Sequence, residues 1–183
     1  MRERLATETH LFITASDSAG AVTAQLRNGD GWDQGLVDLE LAGGELVASA
    51  TRGGTLKVSA LALELGTIAI PASVIGHEAA LSRPQLRLTA PAEAPATWNG
   101  DDSAQAEAQL ALELSWSLTV DGTGVPVGAP SLPPLPVVLQ LSGDGARITA
   151  ELRVHVAGEL WSWAGLIKLT DLDLVLGANT PAR

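Results

Sequence analysis

Three histidines, three acidic pairs and five tryptophans are the residues of this chain whose chemistry could reach beyond packing a core. His10, His77 and His155 are far apart, and none has a second histidine two, three or four residues away, so the usual zinc spacings are missing. His77 precedes Glu78 in a segment read as a loop, where general-base work would need a partner that the sequence does not name. His155 falls on the polar side of an alternating run beside Glu151 and Arg153, which predicts an exposed or hydrogen-bonded ring.

The acidic pairs are Asp30 with Asp33, Asp101 with Asp102, and Asp171 with Asp173. The first two lie in Gly- and Asn-rich stretches where oxygen ligands could gather around calcium. The run from Asn28 to Asp33 lacks the acidic residue that closes an EF-hand loop, however, and Asp or Asn beside Gly is the ordinary chemistry of turns. Asp171 and Asp173 share one side of a strand, which solubilises an outer face, or supplies acid and base if that side lines a cavity. No metal site and no cofactor is predicted.

The tryptophans carry more information, because the aromatic inventory is otherwise one Phe and no Tyr. Trp116 sits on the apolar side of a long alternating run and reads as core. Trp161 and Trp163, two apart after Gly158, share a face that serves either the core or a ligand or partner platform. Trp32 and Trp98 fall in Gly/Asp/Asn stretches with little nearby to bury an indole, so both are expected to be partly exposed contact residues. The nucleophile elbow G-x-S-x-G, the P-loop, the G-x-G-x-x-G fingerprint and H-E-x-x-H are all absent, so no catalytic residue is assigned.

The elements that must position these residues follow from spacing. The chain is 46% hydrophobic and 17% charged, the balance of a packed globular protein, and its 183 residues fit one domain spanning 1–183. Ala and Leu abound, but they recur with period two between turn-forming Gly and Pro, so strands outrank helices. Residues 108–120 alternate throughout, with Ala108, Leu110, Leu112, Leu114, Trp116, Leu118 and Val120 on one side, predicting a strand of roughly 43 Å. Ile148 to Val156 repeat the pattern, preceded by Val137, Leu139 and Leu141 across the turn Ser142–Gly145, as antiparallel neighbours do.

Parity changes near Ala60 and near Thr170 predict β-bulges. Two hairpins are expected at the start, one from Leu11–Thr14 to Ala21–Arg27 and one turning through Ala42-Gly43-Gly44. Asn28–Gly35 and Pro91–Asp102 read as loops, and 72–83 as a loop or one helical turn. No stretch of a dozen residues keeps a capped period of 3.6. The fold class is therefore all-β: an antiparallel two-sheet sandwich or a flattened barrel with long strands. A faint echo of Gly29–Gly31, Ala42–Leu46 and Leu61–Gly66 in Gly143–Gly145, Ala157–Leu160 and Asp173–Gly177 leaves two pseudo-symmetric halves open.

Eleven basic against 21 acidic residues give a net charge of −10, which disfavours nucleic acid and anionic lipid surfaces. The longest uncharged run, 122–143, is interrupted by five prolines, so no membrane insertion is expected. The charged start carries no signal-peptide core, and a soluble, cytoplasmic protein is expected. Three functions remain. The first is a non-catalytic binding or assembly module working through protein–protein contacts, self-association included. The second is a barrel binding or converting an apolar small molecule, with Trp161, Trp163 and His155 at its mouth. The third is a calcium-assisted carbohydrate-binding module using Trp32 and Trp98.

Overall fold

The computed structural model describes residues 1, 3–51, 54–70, 78–127, 132–144 and 147–181. Fourteen strands occur among them: β1 (Thr9–Ile13), β2 (Ala19–Asn28), β3 (Gly31–Asp38), β4 (Leu41–Ala50), β5 (Thr55–Leu65), β6 (Ile68–Ile70), β7 (Ala79–Leu88), β8 (Ala92–Asn99), β9 (Ser103–Leu110), β10 (Leu112–Val120), β11 (Thr123–Val125), β12 (Leu135–Asp144), β13 (Arg147–Trp163) and β14 (Ile167–Asn179). The only helical elements described are two 3-10 turns, Arg4–Ala6 and Ala15–Asp17, and no described helix is long and apolar enough to cross a membrane.

All pairings are antiparallel, and they close a ring of eight strands in the order β5-β4-β1-β14-β13-β12-β9-β8. Closure comes from Thr55–Val58 of β5 against Ala92–Pro95 of β8. Several ring strands are longer than the ring is tall, and their surplus edges pair outside it. Beyond the β8 contact, Ala62–Glu64 of β5 pair with β7, which continues to β10, β11 and β6. On the other side β14 gives Phe12 and Ile13 of β1 only its last two residues, while Ile167–Val175 pair with β2 and thence β3. The molecule is a barrel at one end and a two-sheet sandwich at the other.

Leucine and alanine side chains meet in the ring interior. Leu139 faces Leu152, and Leu141 faces Ala150, across β12 and β13; on the other side of β12 the same leucines face Ala106 and Ala104 of β9. Setting alanine beside leucine fills the narrow lumen of an eight-stranded barrel without overpacking. Leu5, carried by the first 3-10 turn, is fully buried against this core.

Both parity shifts mark bulges, as spacing predicts. Ala48 pairs with Val58 and Val47 with Ala60, leaving Ser59 as the extra residue of β5. In β14 the register with β2 jumps between Thr170 and Asp173, and Asp171 adopts a left-handed φ of 53°.

Six sequence expectations need correction. β1 makes no hairpin with β2; the 3-10 turn Ala15–Asp17 carries the chain past β14, and β1 pairs with β4 and β14. Ala42–Gly44 are not a turn but a bulged part of β4, where a Cβ on Gly44 would lie 2.4 Å from the Ala62 carbonyl oxygen. Most of Asn28–Gly35 is a hairpin: Gly29, at φ 58°, and Asp30 form the two-residue turn, and β3 begins at Gly31. Pro91–Asp102 contains β8, whose Pro95 still fits opposite Thr55 at the ring seam. The run 108–120 breaks at Ala111, because β9 stays in the ring while β10 crosses to β7. Of 72–83, Ala79–Arg83 belong to β7, while 71–77, including His77, lie outside the described residues.

The echoed segments Leu61–Gly66 and Asp173–Gly177 begin on β5 and β14, the two strands whose edges divide between the ring and an outer sheet. Leu152 is fully buried and Leu36 is 72% exposed. Leu152→Ala is expected to lose about 2–5 kcal/mol and Leu36→Ala less than about 0.5 kcal/mol, measured by urea unfolding at low protein concentration.

Candidate functional site

The sandwich end holds an apolar cleft of about 60 Å³ between its two sheets. Leu63, Leu86, Leu114 and Trp116 come from the β5-β7-β10 sheet, and Trp161 and Leu169 from the β13-β14-β2 sheet. The two indoles meet edge to face, with ring centres 4.4 Å apart and planes at 70°. Trp161 is buried, whereas Leu114, Trp116 and Leu160 are half-buried and form part of the rim. The Trp116 indole nitrogen is shut off from solvent and has no hydrogen-bond acceptor among the described residues.

The bulge in β13 decides which predicted site residues meet. Before it, even-numbered residues such as Leu152 and Val154 face inward; two register shifts between Val156 and Trp161 reverse the parity. Trp161 and half-buried Trp163 therefore pack inward, while His155 faces out opposite Asp173. The expectation of all three at one mouth is corrected on that ground. His155 instead borders a shallow outer concavity with Arg153, Glu107 and Gln109.

Trp32 and Trp98 are on strands, not in loops, and lie at opposite ends of the molecule. Trp98, on β8, packs partly buried on the core and donates its Nε1–H to the Gly54 carbonyl at 3.3 Å. Trp32, on β3, lies at the sandwich end with Lys168 Nζ 4.7 Å and Arg27 Cζ 5.9 Å from its ring centre. A sugar spanning both indoles, as the third function supposes, has no geometry here.

Asp30 is a turn residue and Asp33 lies on β3; the Asp102 carbonyl accepts the Gly143 N–H. Among the described residues no three His, Asp or Glu side chains converge to hold a metal. His10 pairs with the Glu45 carboxylate on the exposed face of β1 and β4.

Asp171 clamps the two facing bulges by accepting the Gly158 N–H at 2.8 Å and the Thr170 hydroxyl at 2.9 Å. The Gly158 bond chiefly, then Thr170, with a further pull from His155, hold its carboxyl below the ordinary range against a small opposing effect of burial. The residues that sequence reasoning missed are the unpaired Trp116 N–H and exposed Leu36. Trp116 carried the pattern of a core residue, which it partly is, and pattern says nothing of hydrogen bonds.

The chain matches no protein family, no curated protein and no solved structure.

A depressed carboxyl pKa stabilises the fold above the unfolded value near 4, and that contribution disappears as pH falls through the folded value. Asp171→Asn keeps an acceptor oxygen and tolerates the left-handed backbone. Its urea midpoint should fall less than that of the wild type below about pH 4, while Asp171→Ala should be weaker at every pH. Identical acid profiles for wild type and Asp171→Asn would remove the clamp from this account.

Proposed function

We propose that the protein is a self-associating assembly module whose contact surface is the free edge of β3. The carrying observation is that β3, eight residues long, pairs with β2 alone among the described residues, and its outer side presents Trp32, Gln34 and the 72%-exposed Leu36. Register sets which backbone groups are available. Asn28 and Gly31 close a two-residue turn, so Gly31, Asp33, Gly35 and Val37 bond to β2; the bond from Leu39 N–H to the Gly20 carbonyl continues that alternation. The N–H and C=O groups of Trp32, Gln34 and Leu36 therefore point away from the molecule.

These are also residues with outer-face side chains, which makes the edge self-complementary. A second copy related by a two-fold axis through Gln34 would set Gln34 against its equivalent and Trp32 against Leu36 on both sides of the axis. Facing aromatic and aliphatic residues add to the backbone ladder. Opposing this is the charge of −10 on each copy, with Asp30 and Asp38 near the contact. Association is therefore expected to strengthen with salt, as the screening length falls from about 30 Å at 0.01 M to about 8 Å at 0.15 M.

Gln34→Pro tests the surface directly, because it removes an outward N–H that β2 does not use. Sedimentation at rising concentration should show wild-type association that is stronger at 0.15 M salt, and a Gln34→Pro chain that is monomeric with an unchanged unfolding midpoint. A wild type that stays monomeric at millimolar concentration contradicts self-assembly. Undiminished association of Gln34→Pro contradicts the choice of edge.

A further inference from the structure

We propose, on the footing of the two-fold β3 pairing, that assembly is held in check by two symmetric aspartate pairs, Asp30 of each copy against Asp38 of the other, and is released when they take up protons. An axis through Gln34 sets each residue opposite the one equally far beyond Gln34 in the second copy. Trp32 then faces Leu36, and one step further out Asp30, in the β2–β3 turn, faces Asp38, the last residue of β3. The two-fold makes this meeting occur at both ends of the ladder. Asp38 has the parity of Trp32, Gln34 and Leu36 and so shares their face of the sheet.

Nothing beside the contact neutralises these carboxylates. Both aspartates are exposed, and among the described residues neither is in an ion pair. Across β2 from Asp38 stands uncharged Ala21, then Asp173 of β14, then His155 of β13 beside Asp173. Glu40 follows Asp38 by two residues, and Asp33, opposite Leu26, lies on the other face of β3. The cations that β2 and β14 bring to this end are engaged at Trp32. Arg27 donates its Nε–H to the Gly29 carbonyl at 3.2 Å, and Lys168 Nζ lies 3.3 Å from Glu159 Oε2.

Like charges directly opposite across a strand pair are destabilising, and their juxtaposition favours the proton-bound form of a carboxyl group. Association through this edge therefore takes up protons. The repulsion is fully present at neutral pH and is lost as pH falls through the carboxylate range near about 4, so association strengthens on acidification.

The whole chain also loses negative charge in acid, so the test compares chains at each pH. Sedimentation is measured at about pH 7 and about pH 4, on either side of most carboxylate titration. Asp30→Asn/Asp38→Asn should associate roughly three- to thirtyfold more tightly than wild type at neutral pH, and this advantage should shrink in acid. Glu107→Gln/Glu113→Gln removes the same charge from exposed positions on β9 and β10 and should stay within about twofold of wild type at 0.15 M salt. Gln34→Pro should remain monomeric at both pH values, which separates edge pairing from acid aggregation. If Gln34→Pro associates as wild type does, or wild type never associates, the edge and its control fall together. The control alone is overturned if association needs the edge but the asparagine chain matches wild type at neutral pH. It is overturned equally if the glutamine chain gains as much, or if the asparagine advantage is the same in acid.

Discussion

The satisfaction of strand edges is the constraint on which this structure rests. Every backbone N–H and C=O removed from water needs a partner, and in a sheet that partner is the next strand. The ring closes with eight strands, yet β13 has 17 residues and β14 has 13, against eight in β8. The surplus edge must be covered. β5 therefore divides its free side between β8 and β7, and β14 divides its side between β1 and β2. The outer sheets follow from that division, and β3 is where one of them ends.

Two ends of different character result. In the ring, opposed leucines and alanines are buried against one another. Past the bulges the two branches separate into facing sheets. Their inner side chains fill the gap incompletely and leave the cleft beside Trp116 and Trp161. The bulges in β13 and β14 couple the halves: they reverse the parity of β13, turn Trp161 inward after His155 has faced out, and are tied together by Asp171 and Gly158. Removing a residue there would exchange the core and solvent faces of everything beyond it.

How legible this was in the sequence depended on side-chain size. The period-two runs of large aliphatics in β12, β13 and β14 gave their strands, and the parity shifts near Ala60 and Thr170 gave real bulges. β8 has the same alternation in Ala92, Ala94, Ala96 and Trp98, but alanine contributes too little contrast, and Pro95 reads as a loop signal. It is tolerated because it occupies a short seam. β3 was hidden because an edge strand exposed on both faces has no hydrophobic period to display. The switch of sheet at Ala111 left no local trace, since alternation continues unbroken across it. Trp161 was recognisable as a candidate wall residue, but its meeting with Trp116 is a tertiary contact between strands 45 positions apart in sequence.

The division of β5 between two neighbours is the central structural claim, and backbone NOEs across its edges test it most directly. Cross-strand NOEs are expected from Thr55–Val58 to Ala92–Pro95 and, on the same side of the strand, from Ala62–Glu64 to Gln85–Arg87. NOEs to β7 along the whole of β5, with none to β8, would mean an open sheet in place of the ring. The closed barrel, the separated sheets and the cleft between them would then fall together.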